Sequence, residues 1–121
     1  EGIRQAGTAS DSLDSFIAAL VQGFAKNLVQ SDYEKGCPVS TLALELSAQE
    51  AEIGAAISAC YAHWQSLAAD RFIAFGMDEQ KANDLAQFSF CALEGALILA
   101  RTQKSLQPLE RVRHHLSNYL K

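Results

Sequence analysis

Glu94 is the residue whose chemistry most needs a partner. It is the one charged group in the ten residues Cys91 to Ala100 of the stretch FCALEGALILARTQ. A carboxylate among Phe90, Leu93 and Leu97 costs several kcal/mol to bury unless it is paired. Arg101 shares its helix face but lies two turns away, a poor match. Glu94 must therefore bond a backbone group or a neighbouring helix, or contact a ligand cation. Phe16, Leu20, Phe24, Cys60, Trp64 and Phe90 are large or polarizable side chains on inward helix faces. Such residues either make plain core or line an apolar pocket with a few polar anchors. Together with Glu94 they are the candidate ligand-binding set.

The remaining reactive groups point to little else. Cys37, Cys60 and Cys91 are odd in number and widely spaced, with no CxxC and no Cys/His cluster. Two lie in apolar helical contexts, where free Cys acts as a small hydrophobe, and a reducing cytosol is expected. Cys37 precedes a predicted helix N-terminus, where a thiolate is favoured, so a redox-responsive thiol is an alternative. His63 borders an apolar face. His114 and His115 are adjacent and point to different sides of a helix, so no metal site is expected. No nucleophile–base signature, catalytic carboxylate pair or Gly-rich phosphate loop is present. The sequence therefore predicts no catalytic residues and no cofactor.

Hydrophobic residues make up 49% of the 121, charged residues 20%, and the net charge is −4. That balance suits one globular domain. The acidic charge argues against grip on nucleic acid, which needs clustered Lys and Arg. The longest apolar stretch is broken by Glu94 and falls short of the roughly 20 residues a bilayer needs. Neither a membrane span nor a signal peptide is expected, and the predicted location is cytoplasmic.

Five helices must position these groups. Leu13, Phe16, Ile17, Leu20, Phe24 and Leu28 recur at steps of three and four, which predicts a helix over 12–30 capped by Asp11. Pro38 suits the first turn of a short helix ending near Leu46. Ser47 and Glu50 form the pattern of a capping box before a long helix to about Phe75, closed by Gly76. Asp78 caps a helix to about Lys104, and Pro108 starts the last one. The Asp78–Lys104 helix is apolar on two faces. One carries Ala86, Phe90, Leu93, Glu94, Leu97 and Arg101, and the other Leu85, Phe88, Ala92, Gly95, Ala96 and Leu99. A two-faced helix is buried on two sides.

A second copy of the chain is the economical cover for the extra face. Phe88, Ala92, Gly95, Ala96 and Leu99 would form a seam in which small residues let backbones approach. Leu109, Val112, Leu116 and Leu120 of the last helix would lie beside it. The expected result is a homodimer whose last two helices form an intersubunit four-helix bundle.

Three segments then carry a resemblance: Gly36-Cys-Pro-Val-Ser-Thr-Leu-Ala-Leu-Glu45, Ala62-His-Trp-Gln65, and Leu93-Glu-Gly-Ala-Leu-Ile-Leu-Ala-Arg101 followed by Ser105-Leu-Gln-Pro-Leu-Glu110. Their order and spacing resemble the C-terminal domain of TetR-family transcriptional regulators, from Leu13 onward. The resemblance implies a dimeric repressor whose C-terminal domain dimerises through its last two helices and binds a small-molecule effector. Its DNA contacts would come from an N-terminal helix-turn-helix domain, and no such pattern precedes Leu13. Residues 1–121 are thus expected to be an effector-binding and dimerisation domain, reaching DNA only through a half absent from this chain. The alternatives are a dimerisation module without ligand and a small helical enzyme.

Overall fold

The computed structural model describes residues 12–46 and 50–119. These contain α1 (Leu13–Gln30), α2 (Pro38–Leu46), α3 (Ala51–Ala74), α4 (Glu79–Gln103) and α5 (Gln107–Tyr119), with no strand among them. The class is all-α, as composition and periodicity predict.

Local chemistry sets the helix ends. Asp11 lies outside the described residues, and Ser12 is the N-cap of α1. Its Oγ accepts the Ser15 backbone N–H at 3.1 Å, and the Ser15 Oγ accepts the Ser12 N–H at 3.3 Å. The box expected at Ser47 and Glu50 takes a different form. Ser47 lies outside the described residues, and Glu50 sits at the N-cap of α3 rather than in its first turn, without a side-chain cap bond. Asp78 caps α4 as expected, accepting the Lys81 N–H at 3.2 Å.

Three helices end in a left-handed closing turn, α4 at Lys104 (φ 51°) with Ser105 N–H on the Ala100 carbonyl at 3.1 Å. At the end of α3, Met77 N–H reaches the Phe72 carbonyl at 3.1 Å and Gly76 N–H reaches Ile73 at 2.9 Å, with Gly76 at φ +100°. At the end of α1, Tyr33 N–H bonds Leu28 at 2.7 Å and Asp32 N–H bonds Val29 at 3.3 Å. Here the left-handed residues are Asp32 (φ 53°) and Tyr33 (φ 66°), not glycine. That conformation costs roughly 1–2 kcal/mol per residue, and packing of Tyr33 against the core offsets it. The turn directs the chain toward Cys37 and Pro38.

α4 is the hub, packed on α1, α3 and α5, whereas α2 leans mainly on α3. Two apolar clusters result. The first joins Phe16 and Ile17 of α1, Ala68, Ala69 and Phe72 of α3, the early part of α4, and Leu116. The second joins Leu20, Val21 and Leu28 to Leu93, Ala96, Leu97, Ala100 and Leu109. Phe24 and Val112 touch both.

This packing narrows the apolar surface that α4 and α5 leave outward. Leu109 and Leu116 are 1% and 3% exposed within their own chain, and Val112 packs beside them. The α5 stripe closes this subunit's core because α5 lies across α1 as well as α4. Leu85 and Ala96 are buried in the same way. What stays outward on α4 is narrower: Phe88, Cys91, Gly95, Ile98 and Leu99 are exposed, with Ala92 half-buried. Leu120 lies outside the described residues. α4 is long and apolar enough to cross a bilayer, but nine of its residues are buried against the other helices. It is the central helix of the domain.

Candidate functional site

A cavity of about 400 Å³ opens between α1, the start of α2, and the middle of α3 and α4. Its α1 wall is one helix face, with Ala19, Gly23 and Asn27 in one row and Leu20 and Phe24 in the next. Gly36, Cys37, Pro38 and Val39 close the α2 side, Trp64 projects from α3, and Phe90 and Leu97 come from α4. Trp64 stacks with Phe90 at 6.4 Å between centroids, Phe24 tilts against Phe90 at 5.6 Å, and Tyr61 meets Trp64 edge-on at 5.8 Å. The size lies within the 300–1,000 Å³ of small-molecule sites, and the wall is mostly apolar as such sites are.

A polar relay runs beside this wall. The Ser40 hydroxyl donates to Glu94 Oε2. Serine has a single hydroxyl proton, so in the 2.5 Å contact of Ser40 Oγ with the Tyr61 hydroxyl, tyrosine is the donor. The proton order is Tyr61 to Ser40 to Glu94. The second carboxylate oxygen, Oε1, is buried with no hydrogen-bond partner among the described residues. Burial is the main influence that raises the Tyr61 pKa, and the Glu94 charge adds to it against the lowering bond from Ser40.

The structure gathers Leu20, Phe24, Trp64 and Phe90 of the candidate set on the cavity wall. Glu94 stands one turn beyond Phe90 and one short of Leu97, behind the wall, held by Ser40. Phe16 is fully buried in the first cluster, edge-to-face with Phe72 at 5.9 Å, and does not reach the cavity wall. Cys60 is exposed and also off the wall. The inward line of α3 runs Ile57, Tyr61, Trp64, Ala68, Phe72. Cys60 sits one residue, about 100° of rotation, from Tyr61. Cys91 is exposed as well, so neither helical cysteine acts as a core hydrophobe.

At Cys37 the alternative of an activated thiolate is disfavoured. Burial, its largest influence, raises the thiol pKa, the Glu94 charge raises it further, and hydrogen bonds from Ser40 and Val39 only partly oppose this. Desolvation outweighs the α2 N-terminus, so the neutral thiol is favoured. Ser40, Tyr61, Asn27 and Gly23 were not singled out from the sequence. Gly23 and Asn27 follow Ala19 at steps of four, a periodicity that marks the wall. Nothing local marks Ser40, whose bond to Glu94 spans 54 positions.

The family model for the C-terminal domain of LmrA/YxaF-like transcriptional regulators, a TetR C-terminal domain, matches residues 15–115. The chain belongs to the TetR family. Two proteins from two strains of Mycobacterium tuberculosis, each described as an uncharacterized HTH-type transcriptional regulator, are 34% identical to it over 107 residues. The match covers 84% of this chain and 55% of each relative, so the chain spans about half the length of the curated relatives it matches. The five-helix arrangement is thus a TetR-family C-terminal regulatory domain, and the family is one of transcriptional regulators rather than enzymes. The cavity lies inside the matched segment, from Ala19 to Leu97.

Proposed function

We propose that residues 1–121 are the effector-sensing and dimerising part of a cytoplasmic, one-component TetR-like repressor. A small, mainly hydrophobic effector occupies the cavity walled by Phe24, Trp64 and Phe90. The protein acts as a homodimer and contacts DNA through a helix-turn-helix domain that lies outside these 121 residues. The observation that carries this reading is the apolar cavity of about 400 Å³ within a TetR-family regulatory domain.

The position of α4 supports coupling between effector and dimer. Phe90 and Leu97 face the cavity, while Phe88, Ile98 and Leu99 on the other side are 61%, 56% and 52% exposed. A ligand that moves the first pair moves the second, because both ride on one rigid helix. It changes DNA affinity only by favouring one dimer geometry over another. The outward stripe of Phe88, Gly95, Ile98 and Leu99 is the proposed seam, with exposed Tyr119 of α5 beside Phe88. A Cβ at Gly95 would meet nothing within 4 Å in its own chain, so its small size serves no contact inside the subunit.

Fluorescence of Trp64, the sole tryptophan, tests the sensor reading. A panel of apolar compounds should yield saturable changes together with a raised melting temperature, as binding to the native state requires. Sedimentation equilibrium should show a dimer that Gly95→Arg dissociates. Absence of any saturable ligand defeats the sensor; an unaltered dimer in Gly95→Arg moves the seam elsewhere.

A further inference from the structure

We propose that the effector taken by this cavity is an organic cation: an aromatic or aliphatic body bearing a protonated amine whose N–H is received by Glu94 Oε1. This deepens the sensor reading and rests on it.

The carboxylate is the starting point. Oε2 is occupied by the Ser40 hydroxyl, and Ser40 is in turn supplied by Tyr61. Oε1 is buried and has no hydrogen-bond partner among the described residues. A buried carboxylate oxygen without a donor is unfavourable, and the groups around it do not relieve it. Ser40 has spent its proton, and the Tyr61 proton is used on Ser40. Arg101, the nearest cation along α4 toward its C-terminus, is exposed and two turns away. The Glu94 charge is felt at Cys37 and at Tyr61. Phe90 and Leu97, about one turn to either side of Glu94 on α4, line the cavity, as does Cys37, so Glu94 stands just behind the wall.

The surroundings then select the chemistry. Phe24, Trp64 and Phe90 line the cavity, with Tyr61 against Trp64. Ring faces attract a cation within about 6 Å of the centroid. An anion would meet the Glu94 charge with no lining cation to balance it. A neutral apolar molecule would fill the volume and leave Oε1 without a donor. A cationic N–H donor answers the rings, the oxygen and the carboxylate charge together, whereas a neutral donor answers the oxygen but leaves the charge unbalanced. The route is short: Val39 is on the wall, and Ser40, which holds Glu94, follows it in sequence. α2 is also the wall with the fewest supports, leaning mainly on α3 with Leu42 and Leu44 exposed, so it can adjust around an amine reaching Glu94.

Three probes with the same body decide the matter: phenylbutylamine, phenylbutanol and phenylbutyrate, titrated at neutral pH against Trp64 fluorescence and melting temperature. The expected order of affinity is amine, alcohol, carboxylate, with the amine about tenfold or more tighter than the alcohol. Glu94→Gln should erase that preference while alcohol affinity stays within about twofold. Should Glu94→Gln not fold, Ser40→Ala, which leaves both carboxylate oxygens without a serine donor, should keep or enlarge the preference. Saturable alcohol binding without amine preference overturns the cation and leaves the cavity standing. So does a preference that survives Glu94→Gln. Failure of all three probes to bind overturns both.

Discussion

The C-terminal end and the middle of α3 sit in opposite surroundings. At its C-terminal end, Ala68, Ala69 and Phe72 are buried against Phe16, Ala82, Leu85 and Ala86. At its middle, Trp64 is half-buried and lines a cavity of about 400 Å³, with Tyr61 edge-on against it. Both regions are rich in aromatic rings, and Phe90 contributes to both. The difference lies in what faces the rings. Alanines of α3 and α4 pack around Phe16 and Phe72, which are 0% and 1% exposed. Around Trp64 the facing groups are Gly23, Gly36 and the short, poorly anchored α2, and the rings cannot close the gap. Aromatic residues thus mark core in one region and cavity in the other, according to the size and anchorage of their neighbours.

Truncation in each region is the largest test of that contrast. Phe72→Ala should cost about 3–5 kcal/mol in urea denaturation, because the packed surroundings cannot collapse into the void. Val39→Ala, which only widens space already present, should cost less than about 1 kcal/mol. Equal costs would mean that the cavity closes in solution.

Enlargement should reverse the sign between the two regions. Ala68→Val overpacks the closed end and should destabilise by about 1–3 kcal/mol. A Cβ at Gly23 would meet nothing within 4 Å, so Gly23→Ala should stabilise α1 by about 0.5–1 kcal/mol. It should also reduce the room for effector, read as a smaller fluorescence change at Trp64. A destabilised Gly23→Ala would show that α2 packs more closely on α1 than described.

The smallest effect is a pH dependence confined to the open region. Burial raises the pKa of both Cys37 and Tyr61. Each therefore holds its proton more tightly when folded than when unfolded. Below the ordinary thiol value both states are protonated and stability is unaffected. As pH rises above it, the unfolded chain releases protons first, so stability falls through the alkaline range. Comparing urea midpoints at neutral and alkaline pH should show this fall, and Cys37→Ser should lessen it. An unchanged slope in Cys37→Ser would remove the thiol from the account.

Much of this was legible along the chain. Asp78, Pro38 and Gly76 mark helix ends through bonds made within a few residues, and those marks hold in three dimensions. The α1 periodicity placed Leu20 and Phe24 on one face, and that face borders the cavity. Where the signal is weaker, a one-residue error rotates a side chain by about 100°; this separates exposed Cys60 from inward Tyr61. Glu50 stands at the N-cap of α3 rather than in its first turn, a one-turn difference that a short capping pattern does not resolve.

Sequence by itself determined the helices, the apolar stripes and the TetR-family relationship, since these depend on local bonding, periodicity and segment order. Only the tertiary structure decided which stripe meets which partner. Leu109 and Leu116 turned into their own subunit because α5 crosses α1 as well as α4, a packing choice that periodicity does not encode. It also decided the partner of Glu94. Ser40 and Tyr61 lie on two other helices, so their meeting depends on how those helices cross. The unpaired Oε1 and the raised pKa of Cys37 follow from that crossing, because burial outweighs the local effect of a helix end.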